Sequence, residues 1–444
     1  MFVTISTFAQ NRTCLIEETT RHLIETDPEY AAFHKRVMEQ EKNGTYDQLV
    51  RSAPCAASNK IILPMAVHYM GLATPNAGEI SCLEGLALDQ IQVLNDDYQG
   101  PNAFNFQNWV NQDASMFPGV SAGESCVEFC LPQQGHPTTL GDYTGSYAIT
   151  INRFNAGANA PGWNGYINIY VYDIGPGLLG FSPYPGSGTS NTGVAISKDY
   201  FGTNTYGDCN SVGQAPPYNK GRTLTHELGH NLFLSHIWGG NANATNCGSD
   251  AVADTPTSAS PYYGCPGTPA TCGSTDMHMN YMDYVNDVCM YMFTAGQVTR
   301  MENHVNNNLQ NVISNGLVVC ASAPPTGCPP SYTVVNGNAL TGSASQTGGS
   351  YNNGDYETDG DIESTQTIPA GTIIDYDSKT LICLNSGFNT SSNVSNTNFY
   401  AFIDGCNGGT GGGALTGDED DGLQSIINNK SDKTEEKNFN TSHK

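Results

Sequence analysis

The sequence predicts an α/β (α+β) domain with a mixed sheet, followed by a small all-β unit. Strand-like apolar runs occur at 61–69, 126–131 and 166–172, with Pro64 indicating an edge strand or a bulge in the first. Helical spacing of apolar residues covers 83–94, 222–234 and 294–305. After about residue 311 the chain consists of short apolar runs separated by Gly, Asn and Ser, which is typical of an all-β unit.

The histidine motif between residues 226 and 236 carries the most specific chemistry. Two histidines four apart lie on one face of a helix, so His226 and His230 can reach one zinc ion. Glu227 points to the same side and can take a proton from a water at the metal. His236 completes the set only if the helix ends and the chain turns back. Three nitrogen ligands leave one tetrahedral position open, as in catalytic zinc sites.

Charge and cysteine content restrict the partners and the compartment. The 444 residues include 17 Lys and Arg against 42 Asp and Glu, for a formal charge of −25. Such a surface repels nucleic acid and anionic membranes, so neither is expected as a partner. Fourteen cysteines without a CxxC pair favour disulfides in an oxidising compartment over cysteine-bound metal. No apolar run is long enough to span a membrane.

Composition divides the chain into five segments. Residues 1–9 are similar to the end of a secretory signal without its basic region, with a buried strand as the alternative. Residues 10–57 are charged and helical in pattern and form a separable N-terminal segment. The α/β domain is predicted at 58–310 and the β-rich accessory domain at 311–406. Residues 407–444 are glycine-rich and then charged, which predicts disorder.

With residues 280–284 added to the histidine motif, the chain resembles the metzincins, and more narrowly the pappalysin or cytophagalysin family of secreted metallopeptidases. The resemblance runs over roughly residues 61–309. It implies a secreted, monomeric zinc endopeptidase, in the medium or at the cell surface, that cleaves peptide bonds in proteins with water activated at the metal. A non-catalytic surface or adhesion protein with a vestigial zinc site is the alternative. The intact Glu227 argues against it, because binding alone needs no general base.

The resemblance also implies roles for residues outside the helix. Met282 would form a hydrophobic floor beneath the metal, and Tyr284 would assist catalysis at the metal or the oxyanion. Plain core and surface positions are the alternatives for these two residues. Two disulfides are implied in the loops after the helix, although four cysteines allow three pairings: Cys247–Cys272 and Cys265–Cys289.

Phe233 departs from the family pattern, because metzincins have glycine three residues after the second histidine. Glycine permits a positive φ where the chain leaves the helix. A bulky residue in that conformation costs roughly 1–2 kcal/mol, which is small beside metal binding worth roughly 10 kcal/mol or more. If the backbone turns differently instead, Asp254 is the alternative to His236 as third ligand.

Two further expectations concern calcium and latency. The acid-rich loop with Asp250, Asp254 and Thr255 looks like the family's calcium region, and a solvated polar loop is the alternative. Cys14 is the candidate latency residue of an inhibitory pro-segment, because a thiolate could fill the open position at the zinc. A Cys14–Cys55 disulfide is the alternative.

Asp287 is the candidate specificity residue. In metzincins this segment helps wall the pocket for the side chain after the scissile bond, and a carboxylate there would favour Arg or Lys. The alternatives are that Asp287 faces solvent or binds a cation, or that Val288 lines an apolar pocket.

Overall fold

The structure, a computed structural model, describes residues 15–47, 55, 60–100, 109, 114–137, 147–203, 209–240 and 246–315, and the backbone of strands between 331 and 402. Two compact units divide the chain, Met1–Ser322 and Ala323–Lys444. The signal-like residues, Cys14 and the tail 407–444 lie outside the described residues.

Two helices form the N-terminal segment, α1 (Ile16–Thr26) and α2 (Pro28–Lys42), as its charged, helical pattern predicts. Asp27 separates them in an extended conformation, and its carboxylate accepts hydrogen bonds from the backbone N–H groups of Glu29 and Tyr30. A polar N-cap followed by proline at the first helical position is a strong helix start, which explains the break at this point. A short 3₁₀ turn at Thr45–Asp47 follows α2.

The first unit is built on one mixed sheet, as predicted. The strands are β1 (Ile61–Tyr69), β2 (Val127–Cys130), β3 (Ile149–Ile151), β4 (Ile167–Tyr172), β5 (Gly180–Phe181) and β6 (Val194–Ser197). Their order in the sheet is β2-β1-β4-β6-β5, and β3 also pairs with β1. All pairs are parallel except β5 with β6, which places an antiparallel strand at the edge.

Among the described strands, Pro64 lies in the half of β1 that has a partner on one side only. Residues Ile61 to Pro64 pair with β2, and the pairing with β4 begins one residue later at Met65. Proline therefore lies where the ladder changes partner, and its missing N–H removes no hydrogen bond towards β4. The strand is confirmed, and the one-sided position of Pro64 agrees with the predicted edge, although β1 has partners on both sides from Val67 onward.

Helices cover the sheet and enclose the core. They are α3 (Ala77–Gln99), α4 (Arg222–Asn231), α5 (Ala295–Asn308) and the short α6 (Gln310–Ile313). Capping boxes start both α3 and α5. Helix α3 is longer than its apolar spacing predicts, and Leu86, Ile91 and Leu94 are buried as that spacing requires.

A short hairpin, β7 (Ala270–Thr271) with β8 (Ser274–Thr275), completes the first unit. Within the described part of the second unit all elements are strands, which agrees with the predicted all-β class: β9 (Ser331–Val335), β10 (Asn338–Thr341), β11 (Ala344–Gln346), β12 (Gly354–Thr358), β13 (Ile362–Ser364), β14 (Thr367–Ile368), β15 (Ile373–Ser378), β16 (Ile382–Leu384), β17 (Asn389–Thr390) and β18 (Asn398–Phe402). Among the residues that the structure describes, no helix has the length and apolar character needed to cross a bilayer.

Candidate metal centre

The histidine helix α4 is buried along its entire length. All of its residues from Arg222 to Asn231 are buried, although its sequence RTLTHELGHN is largely polar. The helix starts after Gly221, whose φ of 73° is left-handed and whose carbonyl accepts a hydrogen bond from the Gln90 side chain on α3. Buried polar groups need hydrogen-bond partners. The elements packed around α4 must therefore supply partners for its polar side chains.

The three predicted histidines converge through their Nε2 atoms. The Nε2 atom of His230 lies 3.2 Å from that of His226 and 3.1 Å from that of His236. Ligands about 2.0–2.1 Å from a tetrahedral zinc ion stand about 3.3 Å apart, so this separation fits one zinc ion. Among the described residues, these three form the group of ligating side chains that is close enough together to hold a metal.

The opposite ring nitrogens fix the orientation of the two helical histidines. Nδ1 of His226 lies 2.7 Å from the Tyr281 carbonyl, and Nδ1 of His230 lies 2.7 Å from the Leu234 carbonyl. A carbonyl can only accept, so Nδ1 donates its proton and the Nε2 lone pair stays free for a metal. Burial lowers the pKa of His230 to about 4 and that of His236 well below its usual value, which keeps both rings neutral near pH 7.

The third histidine is reached by a turn at Phe233. Helix α4 ends at Asn231, three residues earlier than the apolar spacing predicts, and Phe233 has a φ of 77°. The left-handed conformation expected at this position is therefore present, although the residue is not glycine. Hydrogen bonds from Phe233 N to the His230 carbonyl and from Leu234 N to the Gly229 carbonyl close the turn. His236 then lies against the other two rings.

Met282 and Tyr284 lie beside the histidines. Met282 is fully buried, and its sulfur would be 2.5 Å from a Cβ atom placed on Gly229, so a side chain at position 229 would displace the methionine thioether. The ring of Tyr284 lies 5.5 Å from that of His226 and 5.0 Å from that of His236. Both residues are thus next to the metal centre, where the resemblance expects them.

Glu227 lies in α4 beside the edge strand of the sheet. Its side chain is 1% exposed, and its Cγ would be 2.7 Å from a Cβ atom placed on Gly180 of β5. A side chain at position 180 would therefore push the glutamate away. Because Gly180 has no side chain, Glu227 can pack closely against the edge strand β5.

Asp97 on α3 supports the site, and the sequence analysis did not identify it. Its carboxylate accepts hydrogen bonds from Tyr281 Oη at 2.7 Å, from Thr225 Oγ1 at 2.7 Å and from the Arg222 guanidinium at 3.4 Å. Because the carbonyl of Tyr281 accepts from His226, this carboxylate holds both α4 and the segment behind the first ligand. The available signal was its spacing, three residues after Leu94 on the apolar face of α3.

Two predicted carboxylates have other partners. Asp254 accepts hydrogen bonds from Thr294 Oγ1 at 2.7 Å and from Gly296 N at 2.9 Å, so it caps α5 and is not the third zinc ligand. Asp250 is buried, and its carboxylate accepts from Val252 N and from the Gln297 side chain.

Asp287, the candidate specificity residue, lies against the start of α4, and its role in specificity stays a prediction. The residue is fully buried, and its Oδ2 accepts from the backbone N–H groups of Lys220 at 2.8 Å and Arg222 at 3.3 Å. A carboxylate at the first turn of α4 is stabilised there by the free N–H groups of the helix end. Neighbouring Val288, in contrast, is 54% exposed.

Disulfides fix the loops around the centre. Both pairs implied by the resemblance are present, Cys247–Cys272 and Cys265–Cys289. Cys55 is bonded to Cys126, so the alternative Cys14–Cys55 disulfide is wrong. A further disulfide joins Cys82 on α3 to Cys209.

Comparisons with known proteins agree with this geometry. A family model of the M43 peptidases, described as pregnancy-associated plasma protein-A, matches residues 157–306. An extracellular metalloprotease of Arthroderma gypseum is 31% identical over 279 residues, which cover 61% of this chain and 80% of that protein. Another, from Arthroderma otae, is 37% identical over 138 residues, which cover 30% of this chain and 49% of that protein.

The chain thus spans about half the length of the relatives that match with 37% identity. Among solved structures, a glutamate-to-alanine mutant of promirolysin from Tannerella forsythia is similar with a TM-score of 0.50 and 28% identity. That likeness covers 70% of this chain and 100% of the promirolysin chain.

The buried network gives a first testable prediction. Asp97→Ala leaves the Arg222 guanidinium buried without this carboxylate, which should lower the free energy of unfolding by about 3–5 kcal/mol. Tyr281→Phe is the matched control, because it removes one hydrogen bond to the same carboxylate and keeps the carbonyl that orients His226. It should cost about 2 kcal/mol. Urea unfolding of the zinc-loaded proteins measures both values, and equal losses would contradict the central role of Asp97.

Proposed function

Because the chain belongs to the pappalysin (M43) family of metallopeptidases, we propose that it is a secreted zinc endopeptidase hydrolysing peptide bonds in proteins. The observation that carries the proposal is the convergence of three histidine Nε2 atoms beside a helix that also presents Glu227. Three nitrogen ligands leave a position for water and substrate, whereas a purely structural zinc site is closed by four protein ligands.

Three residues near the histidines have separate roles in the proposed reaction. A bound zinc ion would polarise the scissile carbonyl and lower the pKa of water towards neutrality. Glu227 accepts the proton of the attacking water and later delivers it to the leaving amine. Tyr284, whose ring contacts those of His226 and His236, donates its hydroxyl to the developing oxyanion. Met282 supports the helix from below and touches no substrate.

Secretion is supported by the disulfides and by relatives that are named extracellular metalloproteases. The substrates are proteins or peptides, and the enzyme acts as a monomer. The β-rich unit that follows the peptidase domain serves attachment at the cell surface or contact with substrate.

Replacing the general base tests the proposed reaction. Glu227→Gln keeps the shape of the side chain and all three histidines but cannot take up a proton. We expect zinc content to be unchanged and turnover of a fluorogenic peptide library to fall by about 10²–10⁴-fold. His236→Ala is the comparison, because it should also lower zinc content. Turnover of Glu227→Gln equal to that of the unaltered enzyme, at equal zinc content, would favour the vestigial site.

A calcium ion bound by the loop of Asp250, Asp254 and Thr255 is the second part of the proposal. Burial raises the pKa of Asp250 to about 7, and the hydrogen bonds from Val252 N and Gln297 only partly oppose this effect. A divalent cation would stabilise the ionised carboxylate, and loop carbonyls and water would complete an oxygen shell. Asp254 anchors the loop to α5.

Calcium dependence can be measured as a thermal shift. Millimolar Ca²⁺ added after chelation with EGTA should raise the melting temperature of the full chain, since it binds the folded state only. The increase should disappear in Asp250→Asn and persist in Asp199→Asn, an exposed carboxylate on another loop. A melting temperature that does not respond to Ca²⁺ in the unaltered protein contradicts the site.

Latency through Cys14 is the third part. Helix α1 begins at Ile16, and its Glu17 lies 3.6 Å from a Cβ atom placed on Gly240, two residues after the Trp238 ring that stacks on His236. Thr20 of α1 also accepts a hydrogen bond from Tyr184 N. The first turn of α1 is therefore close to the segment that follows His236, which supports the proposal that the Cys14 thiolate occupies the open position.

The latency proposal predicts a gain of activity. Full-length Cys14→Ala should cleave a small fluorogenic peptide before any processing, whereas the unaltered full-length chain should not. Thr13→Ala is the control, because it changes the neighbouring residue and keeps the thiol. If Cys14→Ala is as inactive as the unaltered chain while the separated peptidase domain is active, latency has another cause.

A further inference from the structure

Phe233 holds a backbone conformation that a bulky side chain adopts only under constraint. Its φ of 77° is left-handed, and the residue is fully buried. This conformation costs a non-glycine residue roughly 1–2 kcal/mol and persists where surrounding contacts enforce it. The residue lies three positions after His230 and three before His236. What surrounds its side chain therefore bears directly on the metal ligands.

Aromatic rings and one guanidinium enclose the Phe233 ring. Tyr46 lies 4.6 Å away and Tyr184 lies 5.0 Å away between ring centroids. The Arg300 guanidinium is 4.2 Å from the ring centroid, and Arg300 Nε donates to the Phe233 carbonyl at 2.8 Å. Arg300 thus contacts both the side chain and the backbone of the turn.

Much of this enclosure comes from the N-terminal segment. Tyr30, Phe33 and Val37 of α2 are buried in one cluster with Tyr46 and Phe233. Glu41, one residue before the end of α2, forms an ion pair with the largely buried Arg300 guanidinium. A segment that only blocked the open metal position would require none of these contacts.

The turn at Phe233 affects the positions of two metal ligands, His230 and His236. The carbonyl of Leu234, the residue after Phe233, accepts the hydrogen bond that orients His230. The same turn directs the chain to His236, whose ring stacks on Trp238 with centroids 4.4 Å apart. A change of backbone at Phe233 would therefore move the acceptor of one ligand and the position of another.

We infer that Phe233 is a positioning residue for the zinc ligands, and that α2 with Tyr46 forms a clamp on it. This inference rests on the proposed zinc function. The N-terminal segment then has a second role beside the proposed latency, because it stabilises the geometry of the metal site. Tyr46 and Glu41 are the clamp residues, and Arg300 connects Glu41 to the turn.

Zinc affinity of the full chain, measured by competition with a chromophoric chelator, tests the clamp. Tyr46→Ala and Glu41→Gln should each raise the zinc dissociation constant by about 10–100-fold, the size of effect seen when partners behind metal ligands are removed. Glu39→Gln is the matched control, because it removes the same charge from an exposed position on the same helix and should leave the constant unchanged.

A rescue experiment separates positioning from general stability. Phe233→Gly removes both the side chain that the clamp holds and the strain of the left-handed conformation. In that background Tyr46→Ala should no longer change the zinc dissociation constant, although it still lowers the free energy of unfolding measured in urea. An equal loss of zinc affinity in both backgrounds would overturn the inference.

The two proposals fail in different ways. If Glu41→Gln and Tyr46→Ala bind zinc as tightly as the unaltered chain, the clamp is refuted while the proposed peptidase stands. If the unaltered chain itself binds no zinc, the proposed function is refuted first.

Discussion

The burial of a polar helix is the constraint on which the rest of the structure depends. Helix α4 carries an arginine, a glutamate and two histidines, and all four side chains are buried. Isolated buried charges are costly, so each of these groups needs a partner from elsewhere in the fold. Asp97 supplies one for Arg222 and Thr225, and Asp287 satisfies the first N–H groups of the helix. Metal binding is compatible with this environment because the carbonyls of Tyr281 and Leu234 orient the imidazoles of His226 and His230.

Scarce positive charge is placed where the histidine helix begins and ends. The chain has 17 Lys and Arg for 42 Asp and Glu, yet Arg222 and Arg300 are almost completely buried. Arg222 lies at the first residue of α4, and Arg300 binds the carbonyl of the turn that follows it. Each forms an ion pair with one carboxylate, Asp97 or Glu41. In a chain with so few cations, these two positions join distant segments at the metal centre.

The N-terminal helices and the peptidase domain share one aromatic cluster. Its centre is Phe233, at a position where the family pattern has glycine, and its other members come largely from α2 and the following turn. A glycine would leave that turn free of its neighbours, whereas phenylalanine makes the turn dependent on what packs against it. The substitution therefore couples the geometry of the zinc ligands to the segment expected to regulate them.

The sequence alone determined the local features of this protein. Periodicity predicted strand β1, the buried face of α3 and the pairing of His226 with His230, because each of the three depends on residues close together in the sequence. Only the tertiary structure decided the roles of the carboxylates. Asp97 and its partner Tyr281 are 184 residues apart, and Asp254 and Asp287 face backbone N–H groups of helices distant in sequence. An aspartate looks the same in the sequence whether it binds a cation, lines a pocket or caps a helix. Which of these it does depends on the donors that folding brings to it.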